Sequence, residues 1–221
     1  MCRFLMIRST SPFRPDAVLE KFAAMAERSR APDGDWQGDG CGIAWRADNE
    51  QWHAHTSLRP IWEEAMVFSG IPATTACVVH ARSASFPDHK NVPDFNQPFV
   101  RGHHSFVFNG LLRNVSMPFQ VEGRIGSQKI WALLERFLKG QDPAKALNIL
   151  VSVLQGRSQH VQALNLGLFS GARMLAFCNY AAFPEYYQLY CHRTPTITMV
   201  CSEALDGQPF YPLPVNEVTE L

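Results

Sequence analysis

The first third of the chain alternates short apolar stretches with polar breaks, a pattern that predicts several strands around one long helix. Residues 2–8 are nearly all apolar and end before Ser11-Pro12, which predicts a short buried strand. Residues 15–29 place apolar side chains three and four apart, which predicts an amphipathic helix. Further elements are predicted at residues 41–45 and 51–57 (a hairpin), 61–69 (a short helix) and 76–81 (an apolar strand).

The middle of the chain begins with a polar loop. Residues 86–102 are rich in Pro, Asn and Asp, which favour irregular backbone. A strand is predicted at residues 105–108. It is expected to stop at Asn109-Gly110, because this pair is typical of tight turns.

Two adjacent helices follow. Residues 127–138 repeat apolar side chains at helical spacing. Asp142 before Pro143 predicts the start of a second helix that runs toward Leu154, because Asp caps a helix and Pro fits its first position.

After Gly156 the pattern returns to short apolar runs, and the tail from Pro209 is expected to be irregular. The order of strands, two helices and strands again favours an α+β fold with largely antiparallel sheets. No repeat or linker interrupts it, so we expect one domain over residues 1–221. The late strands are predicted at residues 163–169, 173–179, 186–191 and 196–201.

The composition narrows the class of protein. Hydrophobic residues make up 46% of the 221 residues, enough for a sizeable core. Twenty basic residues balance twenty acidic ones, so neither nucleic acid nor an anionic membrane is an expected partner. No apolar run approaches membrane-spanning length, and the opening apolar stretch ends at Arg8, so no signal peptide is expected and the cytoplasm is the predicted location.

The six cysteines are spread thinly along the chain, which favours reduced thiols over a disulfide framework. No C-x-x-C pair is present. Cys77 and His80 have C-x-x-H spacing but belong to an apolar run that predicts a strand. We therefore expect no metal site and no cofactor.

The most informative residue is Cys2, directly after Met1. If Met1 is removed, one residue carries both a thiol and a free α-amine. The α-amine has an ordinary pKa of about 7.7–8.0, so it can take the thiol proton and later return it to a leaving group. This is the nucleophile-and-base pair of N-terminal-nucleophile enzymes.

Several further segments join Cys2 in a recognisable order. They are residues 38–45 (GDGCGIAW), 80–85 (HARSAS), 96–99 (NQPF), 108–112 (FNGLL) and 201–205 (CSEAL). With these segments, the chain resembles the class II glutamine amidotransferases, and most of all the compact stand-alone members that begin Met-Cys-Arg. The resemblance implies a four-layer αββα sandwich of two antiparallel sheets.

The resemblance also implies roles. Cys2 would attack a side-chain amide and form a γ-glutamyl thioester. The side-chain amide of Asn109 and the backbone N–H of Gly110 would form the oxyanion hole, held at the predicted turn. Arg82 would bind the substrate α-carboxylate, and Ser85 would assist at the same end of the substrate.

The chain departs from the family at three places. Phe108 and Gln97 stand where members commonly have His. Gly126 stands where the family has an Asp that binds the glutamine α-ammonium, with Ser127 and Gln128 at the next two positions. We count Gln97, Ser127 and Gln128 as candidate substrate-binding residues.

The missing Asp leaves three alternatives. The ammonium is held by another group, such as Gln128, Glu122 or a backbone carbonyl; the substrate has no free ammonium or is a larger γ-glutamyl compound; or the site is degenerate. A charge-assisted hydrogen bond of this kind contributes about 1.5–3 kcal/mol, so its loss bears directly on specificity.

Three functions compete at this stage. The first is hydrolysis of a γ-glutamyl amide, either glutamine or an N-substituted compound, with ammonia or an amine released and a separate synthase or ligase as a possible partner. The second is a catalytically impaired amidotransferase-like subunit that regulates a partner enzyme. The third is a generic α+β domain in which Cys2 is a coincidence. The retained Cys2, Arg82, Asn109 and Gly110 favour the first.

Overall fold

The computed structural model describes residues 1–47, 50–84 and 86–221. Its helices are α1 (Asp16–Arg28), α2 (Ala65–Gly70), α3 (Gly126–Leu138), α4 (Pro143–Arg157) and α5 (Pro184–Tyr187), with short 3₁₀ helices at Ile61–Glu63, Pro87–His89 and Pro93–Phe95. Its strands are β1 (Arg3–Phe13), β2 (Cys41–Arg46), β3 (Trp52–Ser57), β4 (Thr74–Ala81), β5 (Phe99–Arg101), β6 (His104–Val115), β7 (Ser158–Ser170), β8 (Arg173–Phe177), β9 (Tyr190–Arg193), β10 (Ile197–Cys201), β11 (Tyr211–Pro212) and β12 (Val218–Glu220).

The strands form two sheets. The first has the spatial order β11-β9-β10-β1-β4-β2-β3, and the second has the order β12-β8-β7-β6-β5. Neighbouring strands in both sheets pair antiparallel. β1 lies inside the first sheet between β4 and β10, so the start of the chain is fixed on both sides.

Alternation along the strands produces the layers. In β1, Leu5 and Ile7 face a core that they share with Leu19 and Phe22 of α1. The residues between them point the other way, since successive side chains of a strand lie on opposite faces. Met6 thereby joins the core between the sheets, together with Phe4.

The second sheet repeats this arrangement. Phe106 and Phe108 of β6 pack with the apolar faces of α3 and α4. Val107, between them, packs against the residues of β1 in the core between the sheets. The result is α1 and α2, the first sheet, the second sheet, then α3 and α4, which is the αββα sandwich expected from the resemblance.

One sequence prediction is wrong at an important place. Asn109-Gly110 is not a turn, because β6 continues through it and pairs Asn109 with Asn165 and Gly110 with Leu164 of β7. The turn preference of the pair is local, and pairing along the whole of β7 overrides it. The oxyanion-hole candidates therefore lie within a strand, β6, that is paired with β7 at this point.

Three other predictions need correction. β1 does not end at Ser11-Pro12 but extends to Phe13. Residues 186–191 are not one strand, because the helix α5 occupies their first part and β9 the last. The tail is not wholly irregular, since β11 and β12 each add a short edge to a sheet.

The predicted starts of the two central helices, α3 and α4, are confirmed. α3 begins at Gly126, within one residue of the predicted start. The side chain of Asp142 caps α4 by accepting from the backbone N–H groups of Ala144 and Lys145, and Pro143 occupies the first position. Within the described ranges, no helix combines the length and apolarity needed to cross a bilayer.

The packing between the sheets predicts a strong effect of adding one carbon atom at Gly167. A Cβ there would lie 2.2 Å from Met6 Sδ and 2.8 Å from Val107 Cγ2. We expect Gly167→Ala to lower the free energy of unfolding by about 1–3 kcal/mol through overpacking, measured by urea denaturation.

Gly156→Ala is the matched control. Gly156 lies in the last turn of α4, with nothing within 4 Å of an added Cβ. Alanine there should raise stability by up to about 1 kcal/mol. Equal stability of Gly167→Ala and the native chain would show that the sheets can separate without cost at this point.

Candidate active site

A cavity of about 650 Å³ opens where the start of β1, the end of β4, the middle of β6 and the start of α3 meet. Six of the eight predicted site residues line it. They are Cys2, Arg82, Gln97, Asn109, Gly110 and Ser127.

 Of the remaining two, Gln128 does not line the cavity, and Ser85 lies outside the described residues.

Cys2 and Asn109 meet across the two sheets. The backbone nitrogen of Cys2 donates to Asn109 Oδ1 at 3.1 Å, and the thiol lies 3.6 Å from the carbonyl oxygen of Ser83. The side-chain nitrogen Nδ2 of Asn109 is buried and has no hydrogen-bond partner in the structure. A buried donor without a partner is costly, so its presence in a residue that borders the same cavity as Cys2 is the kind of feature that marks a site prepared for a ligand oxygen.

The backbone N–H of Gly110 points away from β7. Peptide groups alternate in direction along a strand, and Leu164, opposite Gly110, donates its N–H to Asn179 on the other side of β7. Gly110 therefore directs its N–H as Phe108 does, toward the cavity side. A Cβ at Gly110 would lie 2.1 Å from the carbonyl oxygen of Ala163, so only glycine fits here.

Arg82 follows directly on β4 and is almost fully buried. Its guanidinium donates to the carbonyl oxygen of His89 and to Asn96 Oδ1, both neutral acceptors. Burial lowers the pKa of Arg82, although the nearby Cys2 and Asp39 act in the opposite direction. A guanidinium held this way in a cavity can bind an anionic group of a ligand.

Gln97 lines the cavity, but the atoms of its amide are used by the protein. Its Oε1 accepts from the backbone N–H of Phe108 at 2.6 Å, and its Nε2 donates to the Phe108 carbonyl at 3.1 Å and lies 3.3 Å from His80 Nε2. The side-chain amide of Gln97 thus forms with the backbone of Phe108 the two hydrogen bonds that a neighbouring strand would form. A role in holding β6 in place fits this geometry, and its predicted contact with substrate stays a prediction.

Sequence reasoning missed His80, which lies under the cavity. Its side chain is fully buried, and its Nδ1 has no partner. Burial, together with the charge of Arg82, lowers the pKa of His80 to about 3, so the ring is neutral at pH 7. A lone histidine within the apolar run of residues 76–81 was the available signal.

Met1 is buried, and polar groups hold its backbone. Its ammonium lies 2.8 Å from Asp35 Oδ2, and its carbonyl oxygen accepts from Gln37 Nε2 and from the hydroxyl of Tyr186. Burial acts to raise the pKa of Asp35, but the Met1 ammonium and the Ser83 hydroxyl outweigh it and lower that pKa. A carboxylate, an amide and a phenol therefore surround the residue next to Cys2.

Arg3 fixes the other side of Cys2. Its buried guanidinium donates to Ser29 Oγ, to Glu203 Oε2 and to the carbonyl oxygens of Tyr186 and Ser202. These acceptors belong to three separate segments, at Ser29, at Tyr186 and at Ser202-Glu203. Arg3 thus acts as a structural tie beside the cavity rather than as a cavity-lining group.

The glycine-rich segment at residues 38–42 packs against residues next to the cavity. Asp39 accepts from the backbone N–H of Ala84 and pairs with Lys90. Gly40 has a φ of 122°, and a Cβ at Gly42 would lie 2.2 Å from the carbonyl oxygen of Gln97. Glycine at these two positions allows the segment to approach Asn96 and Gln97 closely.

Comparison with known proteins finds no matching family model and no matching curated protein. Solved structures do match in fold. A glutamine aminotransferase class-II domain protein from Silicibacter pomeroyi superposes with a TM-score of 0.64 at 14% identity, over 100% of this chain and 98% of that one. A predicted glutamine amidotransferase from Pseudomonas aeruginosa gives a TM-score of 0.53 at 15% identity, over 99% and 96%.

A third structure is the glutamine phosphoribosylpyrophosphate amidotransferase of B. subtilis, with a TM-score of 0.67 at 14% identity. It covers 100% of this chain, which spans 49% of that protein. The fold is that of a class II glutamine amidotransferase domain. The resemblance expected from the sequence is confirmed at this level, and identities this low carry no residue's role with them.

Within the amidotransferase fold, the start of α3 differs from the expected arrangement. Ser127 is buried and lines the cavity, and Gly126 lies beside it. The side chain of Gln128 instead accepts from the backbone N–H of Arg124 and donates to the carbonyl oxygen of Asp94. Gln128 therefore supports the loop before α3.

The neutral, buried state of His80 predicts a pH effect on stability. With a pKa of about 3 in the fold and an ordinary value of 6.5, the unfolded chain binds more protons between these values. Above pH 6.5, His80 does not reduce the free energy of unfolding. As the pH falls from 6.5 toward 3, the free energy of unfolding decreases by about 1.4 kcal/mol per pH unit, because the unfolded chain binds a proton at His80 and the folded chain does not.

His80→Gln tests this effect. Between pH 6.5 and pH 5 the native chain should lose about 2 kcal/mol more unfolding free energy than the variant, measured by urea denaturation at each pH. Glutamine can still accept from Gln97 and does not titrate. Parallel pH profiles of the two proteins would contradict a neutral His80.

Proposed function

We propose that this protein hydrolyses a γ-glutamyl amide through a thioester on Cys2. The observation that carries the proposal is the unpartnered Nδ2 of Asn109, buried in the cavity wall while Oδ1 of the same side chain accepts from the Cys2 nitrogen. One amide thereby orients the nucleophile's residue and keeps a donor free for the substrate oxygen.

In the first half of the reaction, the α-amine of Cys2 takes the thiol proton, and Sγ attacks the side-chain carbonyl carbon of the substrate. The C=O electron pair moves to oxygen, where Asn109 Nδ2 and the Gly110 N–H stabilise it. The intermediate then expels the amide nitrogen, which takes the proton from the Cys2 ammonium. Ammonia or an amine leaves, and a γ-glutamyl thioester remains.

In the second half, a water molecule attacks the thioester carbon and gives a proton to the α-amine. The C–S bond breaks, the sulfur recovers the proton, and the carboxylic acid product leaves. Arg82 binds the substrate carboxylate throughout and so holds the reacting carbon near Sγ. Besides the γ-glutamyl amide itself, water is the one co-reactant that these steps require.

The reaction requires that Met1 be removed. The nitrogen of Cys2 is then an amine at hydrogen-bond distance from Asn109 Oδ1. Since Oδ1 can only accept, the amine donates one of its hydrogens to it and its lone pair is free to face the thiol.

A non-catalytic, partner-binding role is the second candidate, and the burial of Met1 favours it. With Met1 in place, its amine pairs with Asp35 and the nitrogen of Cys2 is an amide without base character. The mass of the mature protein distinguishes the candidates, because catalysis needs an N-terminal Cys2.

Asn109→Ala tests the proposed reaction. We expect kcat to fall by about 10²–10³ when one oxyanion donor is removed. The assay is release of p-nitroaniline from γ-glutamyl-p-nitroanilide and its N-acetyl derivative, with trapping of the thioester by hydroxylamine. Cys2→Ala should abolish release and trapping.

Asn148→Ala is the control, because Asn148 is exposed on α4 and its side chain donates to the backbone carbonyl oxygen of Ala144, within the same helix. It should match the native rate. Full activity of Cys2→Ala would refute the proposed function, and full activity of Asn109→Ala would refute the oxyanion hole alone.

A further inference from the structure

We propose that the acyl half of the substrate is a glutamyl group whose α-nitrogen is acylated, with an apolar acyl chain, rather than one with a free ammonium. This inference rests on the proposed function and specifies its substrate. It begins from the charges that line the cavity.

With Met1 in place, the described part of the cavity wall contains no carboxylate, and Asp35 nearby is paired with the Met1 ammonium. Its charged side chains are Arg82 and Lys129, and its two histidines are His80 and His89. An ammonium group placed here would lose water and meet cations, both of which disfavour the charged form. An uncharged amide nitrogen at the same place avoids that cost.

The alternative holders of an ammonium lie elsewhere. Both polar atoms of the Gln128 side chain are bonded to the backbone of Arg124 and Asp94. Glu122 is not among the cavity-lining residues, and it lies close enough to Glu135 to contribute to the raised pKa of that carboxyl, which burial mainly causes. Neither residue replaces the missing Asp.

The start of α3 offers donors instead of an acceptor. Ile125, the N-cap residue, provides no side-chain cap, and Gly126 and Ser127 line the cavity. The first N–H groups of a helix have no partner within it, so they suit a carbonyl oxygen such as that of an acyl group. In the same cavity, the proposed reaction uses the unpartnered donor of Asn109 for the reacting carbonyl oxygen and Arg82 for the substrate carboxylate, so these N–H groups are left for the acyl oxygen.

An apolar wall continues from this point toward solvent. Ile125, Val121, Phe119 and Val115 line the cavity in the segment before α3, and Phe86 lines it as well. Phe86, Phe119 and Val115 are 58%, 47% and 42% exposed, which leaves large apolar surfaces open at the mouth of the cavity. Exposed apolar surface next to a polar site is typical of a binding region, and an acyl chain would cover it.

Restoring the missing carboxylate tests the inference. A Cβ at Gly126 meets nothing within 4 Å, so Gly126→Asp can be accommodated in the first turn of α3, where a negative charge is favourable. Gly126→Asn is the matched control, with the same shape and no charge. The probes are γ-glutamyl-p-nitroanilide, its N-acetyl derivative and its N-hexanoyl derivative.

We expect the native protein, with Met1 removed as checked by mass, to prefer the N-acyl probes in kcat/KM by about tenfold or more, and N-hexanoyl over N-acetyl. Gly126→Asp should shift the preference toward the free ammonium by about tenfold or more, whereas Gly126→Asn should not. Phe119→Ser should remove the advantage of hexanoyl over acetyl.

The outcomes separate the two proposals. A native preference for the free ammonium would overturn the inference and leave the amide hydrolysis intact. An advantage of hexanoyl over acetyl that Phe119→Ser does not alter would overturn the role of the apolar wall. If no probe acylates Cys2 in the mature protein, the proposed function fails, and the inference fails with it.

Discussion

The hydrogen bond between the Cys2 nitrogen and Asn109 Oδ1 joins the two sheets at the site, and the remaining features depend on it. Cys2 precedes β1 of one sheet, and Asn109 lies in β6 of the other. The two meet only because Phe4, Met6 and Val107 pack closely between the sheets. Packing between layers thus positions the groups to which the proposed reaction assigns the chemistry, and Gly167 allows Met6 and Val107 to approach closely there.

Around this contact, neutral buried groups occupy the positions where charge would otherwise be expected. His80 is uncharged, and Gln97 uses its whole amide on His80 and Phe108. Because water is excluded from these groups, the unpartnered Asn109 donor and the Arg82 guanidinium act in a medium of low polarity, where electrostatic interactions are stronger.

Periodicity and the order of elements, which are properties of the chain itself, indicated an α+β fold with antiparallel sheets, and the resemblance implied the four layers and the candidate site residues. The sequence predicted the helix that Asp142 caps, and it brought Cys2, Arg82 and Asn109 together through the resemblance. It was wrong at Asn109-Gly110 because a local turn preference cannot register the pairing with β7. It could not find the contact of Met1 with Asp35 or the pairing of Gln97 with Phe108, since both join segments that only the tertiary fold brings together.

The burial of Met1 limits when this residue can be removed from the chain. Its side chain is packed with Ala31, Ala163 and Tyr186, and its ammonium is held by Asp35. An aminopeptidase needs an extended, accessible terminus, which this fold withholds once it is complete. Under the proposed function, removal of Met1 therefore has to precede the completion of folding, because a chain that folds first keeps Met1 packed and the nitrogen of Cys2 as an amide.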